Sequence, residues 1–361
     1  VLRSSGKPGM TSLSIAAEPQ SLGTGELADL LRLGRERPRP TADFPPPPER
    51  IRQEIEEMSR HDLSPYMRRW AEGYARVGRR NPYLWTWCRQ AVRITTLPCV
   101  EPALRDDAGD VKTLGVMFDV MLDDLADRGG DDRLLEELLA LPLGRAADLS
   151  GCPAADRAYA EFTCDLWREI VTRCEGFPRY AEFARLLRFD YLQLCNVMRY
   201  SHLLNGQLDL LNLAEHDVYT PHNMHIMVCS TIDLMCSPSF DRSELGRLRE
   251  VVWHAQWMGR IGNLVTTWQR ELGEGDFTSG VYARAVTRGD VTVAQLRAGD
   301  RPAVEQAILR GGHEEHFLRR WRRHRAFLRS RRARLASFDV ERLADGYERL
   351  ICLHLGSRGY K

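Results

Sequence analysis

From Ile51 onward, apolar residues recur at three- and four-residue spacing, and the alternation that marks a strand is nearly absent. This periodicity predicts helices over 64–79, 82–98, 111–127, 131–141, 154–174, 178–204, 222–236, 241–271, 302–335 and 339–355. Breaks fall at Pro98, Gly129-Gly130, Gly151 to Pro153, Pro221, Ser237-Pro238, Gly273 to Gly280 and Gly311-Gly312. No fixed-period repeat is visible, which argues against a solenoid. No composition shift divides 51–361, so that span reads as one all-α domain.

Residues 1–50 depart from the pattern. They hold eight of the eighteen prolines, Pro45 to Pro48 among them, with Gly and Ser scattered between. Such a stretch buries too little apolar surface to offset its ordering entropy, so 1–50 is expected to be a disordered leader. The segment before Met10 has the look of an expression scar.

Composition narrows the class without naming a function. The chain is 43% hydrophobic and 28% charged, with a net charge of +1. No global field therefore draws it to nucleic acid or to an anionic membrane. No apolar run is long enough for a membrane span, and the N-terminus lacks a signal-peptide pattern, so a cytoplasmic protein is expected. The nine cysteines are scattered and never form CxxC. They read as reduced thiols packed as small hydrophobes. Nine arginines fall in 318–335, but acidic residues precede them in a near-neutral chain, and a solvated helix face is expected there.

The chemistry sits in two places. The first is Asp123-Asp124-Leu125-Ala126-Asp127, which ends a strongly apolar helical segment. Asp119, Asp123 and Asp127 are four apart and share a face, with Asp124 about 100° round the wheel. Like charges at that spacing cost a helix roughly 0.2–0.5 kcal/mol per pair in water, and more beside an apolar core. A bound cation removes the penalty, and hard carboxylate oxygens suit Mg²⁺. The same letters occur at Asp106-Asp107-Ala108-Gly109-Asp110, in a polar stretch with a glycine, where a solvated loop is expected.

The second place is Asn263, Thr267 and Glu271, spaced i, i+4, i+8 on one helical stripe. Amide, hydroxyl and carboxylate oxygens are all hard ligands. Arg270 adds a fork for phosphate. The glycines of 273–280 are those a closing lid would use. Alone, this stripe is an ordinary polar helix face; paired with the aspartates it points to a divalent-cation cluster and a diphosphate.

In this order, in an all-α chain, the two motifs resemble class I terpene synthases of the bacterial type, over 51–361. The resemblance implies a single α-domain helical bundle around a central apolar cavity. It implies Mg²⁺ ions, three with the diphosphate, held by Asp123, Asp124, Asp127, Asn263, Thr267 and Glu271. Arg270, with Arg358 and Tyr360 near the chain end, would contact diphosphate, although a glycine splits the expected Arg-Tyr pair. The family's diphosphate-sensing arginine is missing, since no arginine lies between Arg199 and Arg242. His222, Asn223 or His225, after Pro221, stands where it is expected, unless these are merely helix-turn residues.

The implied activity is ionisation and cyclisation of an isoprenyl diphosphate in an aromatic-lined cavity, with no single acid or base and with Phe118 the favoured lining aromatic. Tyr83, Trp85, Trp87, Phe189, Tyr191, Trp253, Trp257 and Trp268 are the other aromatics on candidate inner helices. The favoured substrate is a twenty-carbon diphosphate, either geranylgeranyl diphosphate or a copalyl-type diphosphate supplied by a class II cyclase partner. Farnesyl diphosphate is the alternative. The family also leaves room for a homodimer. An isoprenyl transferase would need a second downstream aspartate-rich motif, which the chain lacks. A non-catalytic helical binding protein is the reading from another class.

Overall fold

The computed structural model describes residues 44–127 and 132–359. Among these there is no strand, and the architecture is all-α. The helices are α1 (Pro48–Ser59), α2 (Pro65–Ala75), α3 (Tyr83–Ile94), α4 (Arg105–Asp127), α5 (Asp132–Leu139), α6 (Ala154–Glu175) and α7 (Tyr180–Gly206). There follow α8 (Leu213–Tyr219), α9 (Ile226–Met235), α10 (Leu245–Glu274), α11 (Gly280–Thr287), α12 (Val293–Ala298), α13 (Arg301–Arg310), α14 (His313–Leu328) and α15 (Val340–Gly356). None is long and apolar enough to cross a membrane.

Local chemistry sets the ends. The Ser64 hydroxyl accepts the Met67 N–H at 3.1 Å and Pro65 opens α2, while Asp339 caps α15. Gly312, at φ +59°, lies between α13 and α14, so the expected 302–335 helix is two helices divided at the glycine pair. The first described helix starts at Pro48, inside the stretch expected to be a leader, since a proline is welcome at the first helical turn. Residues 1–43 lie outside the described residues.

The centre of the bundle is α4, which packs against α3, α6, α7 and α9 and is buried on nearly all sides from Ala108 to Ala126. Fully buried aromatics mark the core: Phe118 on α4 itself, with Trp85, Tyr191 and Trp268 on other helices. The thirty-residue α10 runs along α9, α14 and α15. Gly259 lets α9 come close, for a Cβ there would stand 2.5 Å from the Ile226 Cδ1. All nine cysteines are free, and five of them are buried.

One expectation fails outright. Asp106 to Asp110 is not a loop but the first turns of α4. Aspartates are favourable at a helix N-terminus, where they meet the positive end of the macrodipole. Gly109 is there for space: a Cβ would lie 2.1 Å from the Arg89 guanidinium, which crosses it to reach Asp106 (3.2 Å) and Asp110 (3.1 Å).

Candidate active site

The stripe Val116, Asp119, Val120, Asp123 and Asp127 of α4 forms one wall of a deep cavity. From α10, Arg260, Asn263, Thr267, Arg270, Glu271 and Glu274 form another. The rest comes from Arg80 and α3, from Asn223 to Asp233, from Asp276 and Thr278, and from α15. The space open to the centre of a water molecule is about 200 Å³. Both sequence motifs therefore face one cavity, which is the arrangement a shared cation cluster requires.

Helical geometry also decides what does not reach it. Asp124, rotated about 100° from Asp123, turns into the protein. Its carboxylate accepts from Arg80 at 2.7 and 2.9 Å and lies 3.5 Å from the Tyr74 hydroxyl. It does not line the cavity; it anchors Arg80. Phe118 is likewise a core residue, packed at 5.0 Å from Trp167 and 6.3 Å from Tyr191. The aromatics in the wall are Trp87 and Tyr347, with the His354 ring 4.9 Å from Trp87. Of the other expected aromatics, Trp85, Tyr191 and Trp268 are core, and Phe189 is half exposed.

Ahead of α9 the chain makes a sharp break. Thr220–Met224 is a 3₁₀ turn, and His225 adopts φ +58°, the only positive φ of a non-glycine among the described residues. That conformation costs an L-residue about 1–2 kcal/mol. It has a geometric effect: the Asn223 amide donates to Asp123 Oδ1 at 3.1 Å, and Met224 and Ile226 enter the cavity wall. Asn223 is thus the member of the expected sensor region that reaches the site. His222 packs on Trp253 instead, with ring centres 5.4 Å apart. His225 is buried against Tyr191 with both ring nitrogens unpaired, and burial alone pushes its pKa down to about 3, leaving it neutral.

Contrary to expectation, Arg358 does not line the cavity. The Arg358 guanidinium donates to the Val265 carbonyl at 2.6 Å and to Glu314 at 3.2 Å, on another side of α10, and is not part of the cavity. Tyr360 lies outside the described residues. The glycine-rich segment is partly helical. Helix α10 continues through Gly273, and the connection 275–279 is tied down by Asp276 N–H to the Glu271 carbonyl (3.1 Å) and Phe277 N–H to Asn205 (3.1 Å).

Two arginines complete the site. Arg80, in the connection before α3, lies 3.9 Å from Asp123 as well as pairing with Asp124. Its pKa is raised, because the attraction of Asp124, Asp123 and Asp127 outweighs burial. Arg260 is 5% exposed, and donates to Asn263 Oδ1 (3.2 Å) and the Thr278 carbonyl (3.3 Å), while its Nε has no partner. It sits one turn before Asn263, a spacing that places it on the same face and could have revealed it in the sequence. Arg80 carried no such signal.

Charge in the cavity is out of balance. Asp119, Asp123, Asp127, Glu271, Glu274 and Asp276 face Arg80, Arg260 and Arg270. Arg270 is engaged by Glu274. Burial, then Asp123, raise Asp119 well above the carboxylate range, and its Oδ1 has no partner. Burial raises Asp123 with Arg80 opposing, and burial, Asp123 and Asp276 raise Asp127 strongly. Glu271 is pushed up to about 7 by burial and by Asp276. Among the described residues no three acidic, histidine or cysteine side chains stand as a preassembled ion-binding trio. The donor set still fits hard divalent cations: crowded, under-paired carboxylates with an amide and a hydroxyl oxygen beside them. The Thr267 hydroxyl, 3.0 Å from the Asn263 carbonyl to which it donates, keeps its oxygen available as an acceptor.

Among solved structures, the chain is similar to an isoprene synthase from grey poplar leaves (Populus x canescens), with a TM-score of 0.53 and 12% identity over 85% of this chain and 53% of that one. The fold is the all-α terpene synthase fold. The chain spans about half the length of that synthase. No family model and no curated protein matches the chain.

Proposed function

We propose that the protein is a Mg²⁺-dependent class I terpene synthase, which ionises and cyclises an isoprenyl diphosphate. The observation that supports this best is the convergence of Asp123 and Asp127 on one side, and Asn263, Thr267 and Glu271 on the other, at the polar end of a cavity whose remainder is largely apolar. Those five residues would hold the divalent cations, with Asp124 acting through Arg80. When bound, the cations supply the positive charge that draws diphosphate away from the allylic carbon.

The chain's own residues do the rest. Arg80, Arg260 and Arg270 present guanidinium forks to the departing diphosphate. Arg260 takes the place of the absent upstream arginine: it is buried, has an unpaired Nε, and forms no ion pair among the described residues. Asn223, fixed by the His225 break, orients Asp123. Val92, Val116, Val120 and Leu343 exclude water from the carbocation, and the faces of Trp87 and Tyr347 stabilise it by roughly 0.5–2 kcal/mol each.

The favoured substrate is a twenty-carbon diphosphate, geranylgeranyl or copalyl-type, with farnesyl diphosphate second. A transferase is disfavoured because the other aspartate-rich segment, Asp106 to Asp110, is paired with Arg89 and Arg173. The test is incubation with Mg²⁺ and geranyl, farnesyl, geranylgeranyl or copalyl diphosphate, followed by analysis of the organic extract. A hydrocarbon or alcohol that requires Mg²⁺ is expected. Its absence with all four substrates would refute the reading, and a product that needs added isopentenyl diphosphate would favour a transferase.

A further inference from the structure

The far end of the cavity holds a charged group that the ionisation step does not use. Asp233, on α9, lines the wall, yet is 1% exposed. Its Oδ1 is 2.6 Å from Lys112 Nζ, and its Oδ2 accepts the Leu97 N–H at 2.9 Å. Lys112 also donates to Thr96 Oγ1 at 2.7 Å. Lys112 precedes Asp123 on α4 by three turns, so this pair lies roughly 16 Å down the helix from the diphosphate end, at 1.5 Å per residue.

The pair ties α3, α4 and α9 together, which is a structural role. A purely structural pair has no need to open on a cavity, and this one does, between Leu97, Cys229, Leu343 and Tyr347. The neighbouring polar groups cannot act as bases. Burial pushes the Cys229 thiol up to about 12 and the Tyr347 phenol well above its usual range, so both stay protonated. The Ser230 and Thr95 hydroxyls donate to the helix carbonyls of Met227 and Ala91. His354 stands at the other end, beside Gly262 of α10, where a Cβ would lie 2.6 Å from its ring.

We propose that Asp233 is a second catalytic residue, the base that ends the reaction; this rests on the terpene synthase reading. The carboxylate removes a proton from the carbon next to the cationic centre. The C–H bond breaks, its electron pair becomes the new C=C bond, and the proton rests on Asp233 until product leaves and it returns to solvent. Atoms and charge balance without a co-reactant. The product class is accordingly an olefin whose final double bond forms deep in the cavity, away from the diphosphate. Lys112 is a positioning residue: burial raises the pKa of the carboxylate, and the ammonium 2.6 Å away opposes that rise.

The experiment uses Asp233→Asn with the diphosphate that the wild-type protein converts, measuring released diphosphate and the composition of the extract. Diphosphate is still released, and the share of the principal olefin falls about 100-fold, the lower bound for a positioned base. Isomers with the double bond elsewhere, or alcohols from water capture, replace it. An unchanged olefin share overturns the proposal. If Asp233→Asn does not fold, the pair Lys112→Met with Asp233→Leu carries the same test, since apolar replacement of a buried ion pair is often tolerated. Failure of the wild type to release diphosphate from any substrate would instead overturn the functional reading, and the role of Asp233 with it.

Discussion

The two ends of α4 carry the same five-residue pattern in opposite electrical conditions. At the N-terminus, Asp106 and Asp110 meet Arg89, Asp107 meets Arg173 at 2.8 Å, and the macrodipole favours all three. At the C-terminus, Asp123 and Asp127 oppose the macrodipole, share Arg80 with Asp124, and look across at Glu271 and Asp276. One end is neutralised by the protein, and the other is left in deficit. The letters are therefore no guide to the site; the supply of counter-charge is. A carboxylate cluster that the fold leaves unpaired in a cavity must either hold protons or bind a ligand of opposite charge.

The largest effects should come from removing oxygen ligands at the end in deficit. Asn263→Ala is expected to lower kcat/KM about 10³-fold, the several kcal/mol that cation stabilisation supplies, with unchanged circular dichroism. Next is pH. Glu271 has a folded pKa of about 7 against 4.5 in the unfolded chain. Between those values the unfolded chain gives up a proton that the native state keeps. Stability of the metal-free protein should therefore fall as pH rises from about 4.5, by roughly 3 kcal/mol once above 7. Denaturant melts in a chelator at pH 5 and 7.5 measure this, and Glu271→Gln should flatten the curve.

Arg260→Lys keeps the charge and loses the fork. It should weaken binding of inorganic diphosphate with Mg²⁺ about 10-fold by calorimetry, the value of one charged hydrogen bond. The smallest effect is at the balanced end. Asp106→Asn removes a fully exposed partner of Arg89 and should leave the thermal midpoint essentially unchanged. A fall in kcat/KM for Asp106→Asn as large as for Asn263→Ala would erase the contrast between the two ends.

Much of this was legible in the sequence, because helical spacing carries side-chain direction. The stripes through Asp119, Asp123 and Asp127 and through Asn263, Thr267 and Glu271 were visible from position alone, and both fall on the cavity. The same spacing places Asp124 off the stripe, where the family resemblance had counted it as a ligand. What could not be read depends on long-range approach. Arg89 crosses Gly109 from another helix, so the glycine that suggested a loop marks a close contact. Arg80 swings in from a connection. Arg358 finds the Val265 carbonyl and Glu314 before it can reach the site. The break at His225 was foreshadowed by Pro221, but which of three neighbouring polar residues would turn inward was set by one positive φ.

The most direct measurement is Mg²⁺-dependent release of diphosphate from geranylgeranyl diphosphate by the wild-type protein, Asp123→Asn and Asp107→Asn, side by side. The wild type and Asp107→Asn should release it at similar rates, and Asp123→Asn at least about 10³-fold more slowly. Equal rates for both variants, or release independent of Mg²⁺, would contradict the assignment of the deficit end of α4 as the cation site.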